Sequence, residues 1–184
     1  MAGNKYRFGP NVMTVQEATN SLAQRRIIRV TPTVIAGTTE NNDVAFDATE
    51  IPNAVLRPGG CSELVGIYAL DQDNEAHDMD LVFMENQTNQ GTAGSAVTIT
   101  DDNIQAANII GCLRLDWSDR VVGLVNTSLT SFGAHYSDAG ATPSPYMLLQ
   151  AAENSTSVYF SAVMREEAAW AATDDLDFIF HIRY

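Results

Sequence analysis

The sequence predicts an all-β protein, a jelly-roll-like β-sandwich over residues 26–184 with one short helix, preceded by an extended N-terminal arm over residues 1–25. Many short segments rich in β-branched and aromatic residues follow one another, with turn residues about every 8–12 positions. The strand–helix alternation of an α/β fold is missing, and the C-terminal segment alternates apolar and polar residues. With 184 residues, 45% of them hydrophobic, the chain is long enough for one domain with a sizeable core.

The N-terminal residues carry no sustained period. Residues 1–24 mix polar and small side chains with isolated apolar ones, so they are expected to be extended, with at most a short helical turn over residues 15–23. β-branched residues dominate residues 26–37, where Pro32 indicates a sheet edge or a bulge because proline cannot donate to a ladder. Further strands are predicted over residues 44–51, 62–70, 79–85, 96–100, 112–117, 120–126, 129–136, 146–152, 157–164 and 176–184.

One helix is predicted after residue 100. Thr100 can accept a hydrogen bond as N-cap, and Asp101 and Asp102 follow in the first turn, where the helix dipole favours carboxylates. Ile104 and Ala107 then share a face, and Gly111 is expected to end the element.

The last third of the chain carries the clearest strand signals. Residues 146–152 and 157–164 flank four turn-forming residues and are predicted to form a hairpin. In the final segment one face is apolar and is expected to be buried in a sheet or an interface, because exposure would leave a stripe of large side chains in water. That face consists of Leu176, Phe178, Phe180, Ile182 and Tyr184.

The charge is divided unevenly along the chain. The net charge is −13, yet residues 1–29 hold five of the ten basic residues and one acid, which gives +4. Residues 30–184 hold five arginines and 22 acids and carry −17. A basic arm on an acidic body favours docking on an acidic partner, which includes a neighbouring copy of the same body. The alternative is an ordinary N-terminus that packs on its own acidic domain.

The residues expected to bind the partner are the basic and aromatic ones of the arm and the start of the first long strand. They are Lys5, Tyr6, Arg7, Phe8, Arg25, Arg26 and Arg29. The acidic balance argues against nucleic acid as a partner, because phosphate contacts need a basic surface. A membrane is not expected either, because no run of about 18 apolar residues occurs. The first residues also lack the apolar region of a secretory signal.

The sequence has no recognisable set of nucleophile, base and orienting residue, so the chain is not predicted to be an enzyme and no cofactor is expected. The glycine-rich nucleotide signatures and the GxSxG elbow are missing, and Lys5 is the single lysine. His135 has serines and Asp138 nearby in sequence, but a triad is defined by geometry and proximity does not indicate one.

One acidic loop has partial metal-ligand spacing. Residues 71–75 supply oxygens at positions 1, 3 and 5 of a calcium loop, but Ala76 replaces the required glycine and Val82 the required glutamate. An EF-hand is therefore excluded and no metal site is predicted. A looser Ca²⁺ site shared with Asp78 or Asp80 stays open beside a solvated acidic turn.

The cysteines and aromatic residues have ordinary structural interpretations. Cys61 and Cys112 have no zinc-site spacing and are expected to be free buried thiols, with a disulfide open if their strands are neighbours. Aromatic residues on strands and loops either pack in the core or form a platform that stacks on a sugar. They are Trp117, Tyr136, Tyr146, Tyr159 and Trp170.

The order of features in the second half resembles a known group of virion proteins. It comprises the strands 80–83 and 97–100, Gly91-Thr92, Asp101-Asp102, residues 109–111, the late strand 158–165, Trp170-Ala171-Ala172 and the final strand. This order is similar to that of small β-rich proteins that marine tailed phages encode near their capsid genes, often capsid decoration or cement proteins. Residues 26–184 are covered, although Arg165-Glu166-Glu167 and Trp170-Ala171-Ala172 stand where Arg-Gly-Thr and Tyr-Thr-Ala are usual.

The resemblance implies a structural role on the virion. The expected protein is a non-enzymatic, jelly-roll-like body on the outer capsid surface, bound to the major capsid protein and bridging capsomers. It implies a homo-oligomer, with a trimer favoured and a dimer as the alternative. The other function left open is a receptor- or glycan-binding head of a phage fibre or tail. The family has no agreed catalytic residues, so none is carried over.

Overall fold

The computed structural model describes residues 25–74, 77–117 and 147–184 in full and the backbone of residues 5–8, 11–14, 122–124 and 127–133. Antiparallel strands dominate, and the described residues contain one helix, α1. The predicted all-β class is therefore confirmed, whereas a jelly-roll connectivity stays a prediction. The strands are β1 Lys5–Phe8, β2 Asn11–Thr14, β3 Arg25–Val30, β4 Gly37–Thr39, β5 Val44–Ile51, β6 Cys61–Asp71, β7 Met79–Met84, β8 Ile109–Leu115, β9 Val122–Leu124, β10 Thr127–Gly133, β11 Met147–Gln150, β12 Val158–Met164, β13 Ala168–Trp170 and β14 Leu176–Arg183.

Two main sheets form the body. The larger one has the strand order β3-β14-β6-β10-β9, with β11 also paired to β6. The smaller one has the order β5-β12-β7-β8, and two two-stranded sheets pair β1 with β2 and β13 with β4. All of these pairings are antiparallel, and the two main sheets share a single cluster of buried side chains.

Five phenylalanines join the two sheets across the core. Phe46, Phe83 and Phe160 come from the smaller sheet, and Phe178 and Phe180 come from β14 of the larger one. The ring of Phe160 lies edge-on to the rings of Phe178 and Phe180, with centroids 5.1 and 5.0 Å apart. All five side chains are fully buried, and each such burial stabilises the fold by roughly 1.5–3 kcal/mol.

Strand β14 confirms the predicted alternation. Its inward side chains are at most 1% exposed and lie in the chain's own core, because β14 is flanked by β3 on one side and β6 on the other. These side chains are Leu176, Phe178, Phe180 and Ile182.

The predicted hairpin of residues 146–152 and 157–164 is wrong. Strand β11 pairs with β6 in the larger sheet, whereas β12 pairs with β5 and β7 in the smaller one. Both strands bury their side chains between the sheets, as Leu149 and Val158 do, so the intervening turn crosses from one layer to the other. The carbonyls of Thr156 and Ala152 accept hydrogen bonds from the amides of Val55 and Gly59, which belong to the segment that joins β5 and β6.

Helix α1 spans Asp101–Ala107 and begins as predicted. The Thr100 side chain accepts a hydrogen bond from the amide of Asn103, at 3.4 Å. The end differs, because Asn108 adopts a left-handed conformation with φ 48° and stops the helix before Gly111. Gly111 instead lies inside β8, where an added Cβ would come within 2.8 Å of the Met147 side chain.

Other boundaries shifted locally. Strand β3 ends at Val30, before Pro32, as the missing proline N–H requires. Residues 96–100 are not a strand and contribute one isolated bridge, between Ala96 and Asp43. The small sheet of β4 and β13 was not predicted, and β1 and β2 pair as a hairpin within the segment expected to be a plain extended arm. The helical turn predicted over residues 15–23 lies outside the described residues.

Candidate partner interface

Strand β3 lies at the edge of the larger sheet. In the part of the chain that the structure describes, it pairs with β14 alone, from Val30 opposite Phe178 to Arg25 opposite Arg183. Ile28 and Val30 point inward and join the core. Packing therefore holds one face of β3 and backbone hydrogen bonds with β14 hold one side, while no strand among the described residues pairs with its second backbone side.

The other side chains of β3 are cationic and accessible. Arg25, Arg26 and Arg29 are all exposed. Ile27 lies among them and is 66% exposed. The structure thus brings together three of the predicted partner-binding residues around one apolar side chain. We refer to Arg25, Arg26, Ile27 and Arg29 as the basic edge.

One arginine of the basic edge is held by a carboxylate. The Arg29 Nη1 atom lies 3.6 Å from Oδ2 of Asp177, whose Oδ1 accepts a hydrogen bond from the Thr31 hydroxyl. The Arg29 side chain is 61% exposed and that of Asp177 is 9% exposed, so the guanidinium is oriented yet accessible. Among the described carboxylates, none forms an ion pair with Arg25 or Arg26.

More basic residues continue this surface at the same end of the sheet. Arg183, the register partner of Arg25, donates to Glu63 of β6, with an Nε–Oε2 distance of 2.7 Å. Tyr184 follows and lines a cleft of about 490 Å³ together with Leu56, Arg57, Gly59, Gly60 and Cys61. Sequence reasoning missed Ile27, Arg57 and Arg183. Arg183 lies on the polar phase of the final strand, but only strand pairing places it beside Arg25.

The predicted residues of the arm lie apart in a separate sheet. Lys5, Tyr6, Arg7 and Phe8 form β1, whose described partner is β2, with Lys5 opposite Thr14. The structure describes the backbone of this hairpin alone. A shared surface of the hairpin and the basic edge therefore stays a prediction.

Strands β6 and β14 are acidic at the end that lies opposite to the basic edge. Strand β6 ends at Asp71, which is the register partner of Leu176, the first residue of β14. Asp73 follows β6, and Asp174 and Asp175 precede β14. The larger sheet therefore has arginines at one end of β6 and β14 and carboxylates at the other.

The acidic end uses its carboxylates as acceptors for backbone amides. Asp71 Oδ1 accepts from the amide of Asp73 at 2.9 Å, and Asp73 Oδ2 accepts from the amide of Ala171 at 2.8 Å. Within the residues described with side chains, no group of three or more His, Cys, Asp or Glu could hold a metal ion. Glu75 lies outside the described residues, so the alternative of a looser Ca²⁺ site that includes it stays open.

Asp78 is the most perturbed carboxylate in this region. Its Oδ1 accepts a hydrogen bond from the amide of Trp117 at 2.8 Å, and its own amide donates to Glu166. Burial raises the pKa of Asp78, and the nearby carboxylates of Asp116 and Glu166 raise it further. The Trp117 hydrogen bond and Arg114 oppose that shift of the pKa. Through these hydrogen bonds Asp78, just before β7, connects to Trp117 after β8 and to Glu166 after β12. Because its pKa is raised, ionisation of Asp78 lowers the stability of the folded state.

Burial excludes both tryptophans from the candidate sugar-binding platform. Trp117 is 2% exposed and Trp170 is 3% exposed, so neither ring can stack on a ligand. Tyr159 is half-buried and packs against Ala48 and its neighbours. Tyr136 and Tyr146 lie outside the described residues. Core packing is therefore the correct interpretation for both tryptophans.

The expectation of buried cysteines is wrong. Cys61 and Cys112 are both exposed and neither forms a disulfide. Cys61 begins β6 in the larger sheet and Cys112 lies on β8 in the smaller one. Leu113 and Leu115 occupy the inward phase of β8, which turns Cys112 outward.

Comparison with known proteins assigns no family to the chain. No family model matches it, and no curated protein matches it. Among the described helices, none is long and apolar enough to cross a membrane.

Proposed function

We propose that this chain is a non-enzymatic structural virion protein that binds the outer capsid surface and stabilises the shell as an oligomeric decoration protein. The observation that carries the proposal is the basic edge, an accessible row of arginines directly after the arm on an otherwise acidic body. Its partner would be the major capsid protein. A trimer is the favoured oligomer and a dimer the alternative.

The charge distribution supports docking with a defined orientation. The basic edge attracts an acidic protein surface, while the carboxylates at the far end of β6 and β14 are repelled by the same surface. A protein that carries both signs at opposite ends therefore approaches with its cationic end first. The acidic remainder faces the medium, where carboxylates favour solubility.

Stabilisation of the shell follows from mass action. A protein that binds the assembled shell and not its separated subunits shifts the equilibrium toward the shell. At a free concentration of about 100 times the dissociation constant, each bound site contributes about 2.7 kcal/mol. Bridging of capsomers by an oligomer adds to this effect because one decoration protein then contacts several shell subunits.

The test compares particles with and without the protein after heating and osmotic shock. Decorated particles should survive better, and the double variant Arg25→Gln/Arg26→Gln should bind shells more weakly. The double variant Arg114→Gln/Arg165→Gln is the matched control, since it removes two exposed arginines of the smaller sheet, which both pair with Asp80 of β7. Equal survival of bare and decorated particles would contradict the proposal. Selective binding to a glycan array without shell binding would favour a receptor-binding head.

A further inference from the structure

We propose that the side of β3 that no described strand covers is a strand-addition site for an extended, carboxylate-bearing segment of a partner protein. This inference rests on the proposed function, because the shell protein would supply that segment. The occupant is a different polypeptide, not a second copy of this chain. Backbone hydrogen bonds would supply the affinity and the basic edge would select the sequence.

The backbone of β3 has the donors and acceptors for such pairing. In an antiparallel pair, alternate residues direct their N–H and C=O groups toward the partner, and the intervening ones direct theirs away. In the described part of the chain β3 pairs with β14 alone, so alternate residues between Arg25 and Val30 have N–H and C=O groups that can pair with an added strand.

Another edge of the body is closed, in contrast to β3. The amide of Val44 in β5 donates to the carbonyl of Ser95 at 2.9 Å, and the carbonyl of Val44 accepts from the amide of Gly94 at 2.8 Å. Gly94 and Ser95 belong to the loop between β7 and α1. The amide of Ala48 donates to Asn89 at 2.9 Å. Side-chain and loop contacts thus cover the edge of the smaller sheet, while the described residues provide no such cover for β3.

Self-pairing of two β3 edges is disfavoured by charge. In a two-fold antiparallel pairing opposite residues share a face, so a pairing centred on Arg26 places the Arg26 side chains of the two copies opposite each other. A pairing centred on Ile27 instead places each Arg25 opposite an Arg29. Like charges directly opposite one another destabilise a strand pair. A pairing centred on Ile28 avoids this but sets each Arg29 diagonally next to Arg25 and Arg29 of the other copy, so the arginines disfavour pairing with a second β3.

The other described edge strands of the two main sheets do not supply the missing carboxylates either. β8, with the sequence IIGCLRL, and β9, with the sequence VGL, contain no acid. Strand β5 has Asp47 and Glu50, but Asp47 Oδ1 accepts from the amide of Ala93 and Glu50 Oε1 accepts from the Ser157 hydroxyl. An acidic segment from another protein is therefore the complementary occupant.

The side chains of the basic edge define a pattern in that segment. Arg25, Ile27 and Arg29 alternate on the outer face of β3. Residues directly opposite each other in paired strands share a face, so the segment needs an acid, an apolar residue and a second acid at every other position. The pattern reads the same in both directions, and it fits parallel and antiparallel addition alike.

The first test uses fluorescent peptides and fluorescence anisotropy. The peptide Thr-Glu-Thr-Val-Thr-Glu-Thr should bind the full chain, and its counterpart with lysines in place of both glutamates should not. A third peptide has the same side chains but carries N-methyl groups on its third and fourth residues, so it lacks one amide donor on each alternating side of the strand and should bind about tenfold more weakly or worse. Equal binding of the two acidic peptides would overturn strand addition.

The second test removes single amides from β3. Proline replaces Arg26 in one variant and Ile27 in another, with Arg26→Ala and Ile27→Ala as controls that keep the N–H. Because the strand alternates, one proline removes a donor to β14 and destabilises the fold, whereas the other removes an outward donor. The tolerated proline should bind the acidic peptide about tenfold more weakly than its alanine control. Unchanged binding would overturn the proposal.

Hydrogen exchange of the wild-type chain keeps the test independent of folding defects. Alternate amides of β3 should gain protection when the acidic peptide binds, and unchanged exchange along β3 would overturn strand addition even if both prolines unfold the protein.

Binding of the variants to native shells distinguishes strand addition from the proposed function. If the tolerated proline binds shells normally while Arg25→Gln/Arg26→Gln does not, strand addition fails and charge-driven docking stands. If the peptide result holds but shells do not retain the protein, the proposed function fails and the edge site stands.

Discussion

Arg25 of β3 is the register partner of Arg183 of β14. The guanidinium of Arg183 donates to Glu63 on the next strand. Like charges on paired strands raise the energy of the isolated body. The proposed acidic partner would relieve that repulsion at Arg25.

Replacement of Phe160 by alanine should destabilise the body strongly. The Phe160 ring is fully buried and contacts rings from both sheets, so Phe160→Ala should lower the free energy of unfolding by about 3–5 kcal/mol. The exposed-site control Ile27→Ala should change it by less than about 0.5 kcal/mol. Urea denaturation measures both. A loss below about 1 kcal/mol for Phe160→Ala would contradict a shared core between the sheets.

The N-cap of α1 should contribute modestly to stability. Thr100→Ala removes the hydroxyl that accepts from the Asn103 amide and should lower the free energy of unfolding by about 0.5–1 kcal/mol. The effect should fall at the low end because the contact is 3.4 Å long and exposed. Thr100→Ser keeps the acceptor and should restore most of the loss. Equal stability of the alanine and wild-type chains in urea would show that the cap does not act.

Ionisation of Asp78 should make the fold less stable as the pH rises. Its folded-state pKa lies above the ordinary 3.8, so the stability present below that value is lost as the pH passes through the raised pKa. Asp78→Asn keeps an acceptor for the Trp117 amide but cannot ionise. The stability of the variant relative to wild type should therefore grow as the pH rises from the ordinary 3.8 through the raised pKa in denaturation curves. A difference that stays constant with pH would contradict this role.

The thiol of Cys112 should react slowly for an exposed cysteine. Partial burial raises its pKa, the Asp80 carboxylate raises it further, and Arg114 opposes the shift. Fewer thiolates at pH 8 mean slower attack on a disulfide reagent. In the variant Cys61→Ser, labelling of Cys112 should be slower in the folded than in the denatured chain and should accelerate with pH. Equal rates in both states would contradict the electrostatic cause.

The strands with the strongest local pattern were predictable from the sequence. The alternation from Leu176 to Ile182 identified β14 because its two neighbours and the opposite sheet enforce a period of two. Thr100 was recognisable as a cap because capping depends on a few adjacent residues. By contrast, Gly111 resembled a helix stop, while Asn108 took the left-handed position that ended the helix.

Relations between distant segments were not predictable in the same way. The turn before Val158 indicates a reversal, but a turn signal does not say whether the chain returns in the same sheet or crosses to the other. The candidate interface shows the same limit. Arg25, Arg26 and Arg29 were recognisable from charge, whereas the edge position of β3 and the nearness of Arg183 depend on pairing with residues over 140 positions away.

The salt dependence of shell binding tests the central claim most directly. Binding of the chain to purified native shells should weaken as ionic strength rises from about 0.05 to about 0.5 M, because screening shortens the reach of the arginines. Arg25→Gln/Arg26→Gln should bind more weakly with a flatter salt dependence, while Arg114→Gln/Arg165→Gln should follow wild type. Identical salt curves for all three proteins would contradict docking through the basic edge.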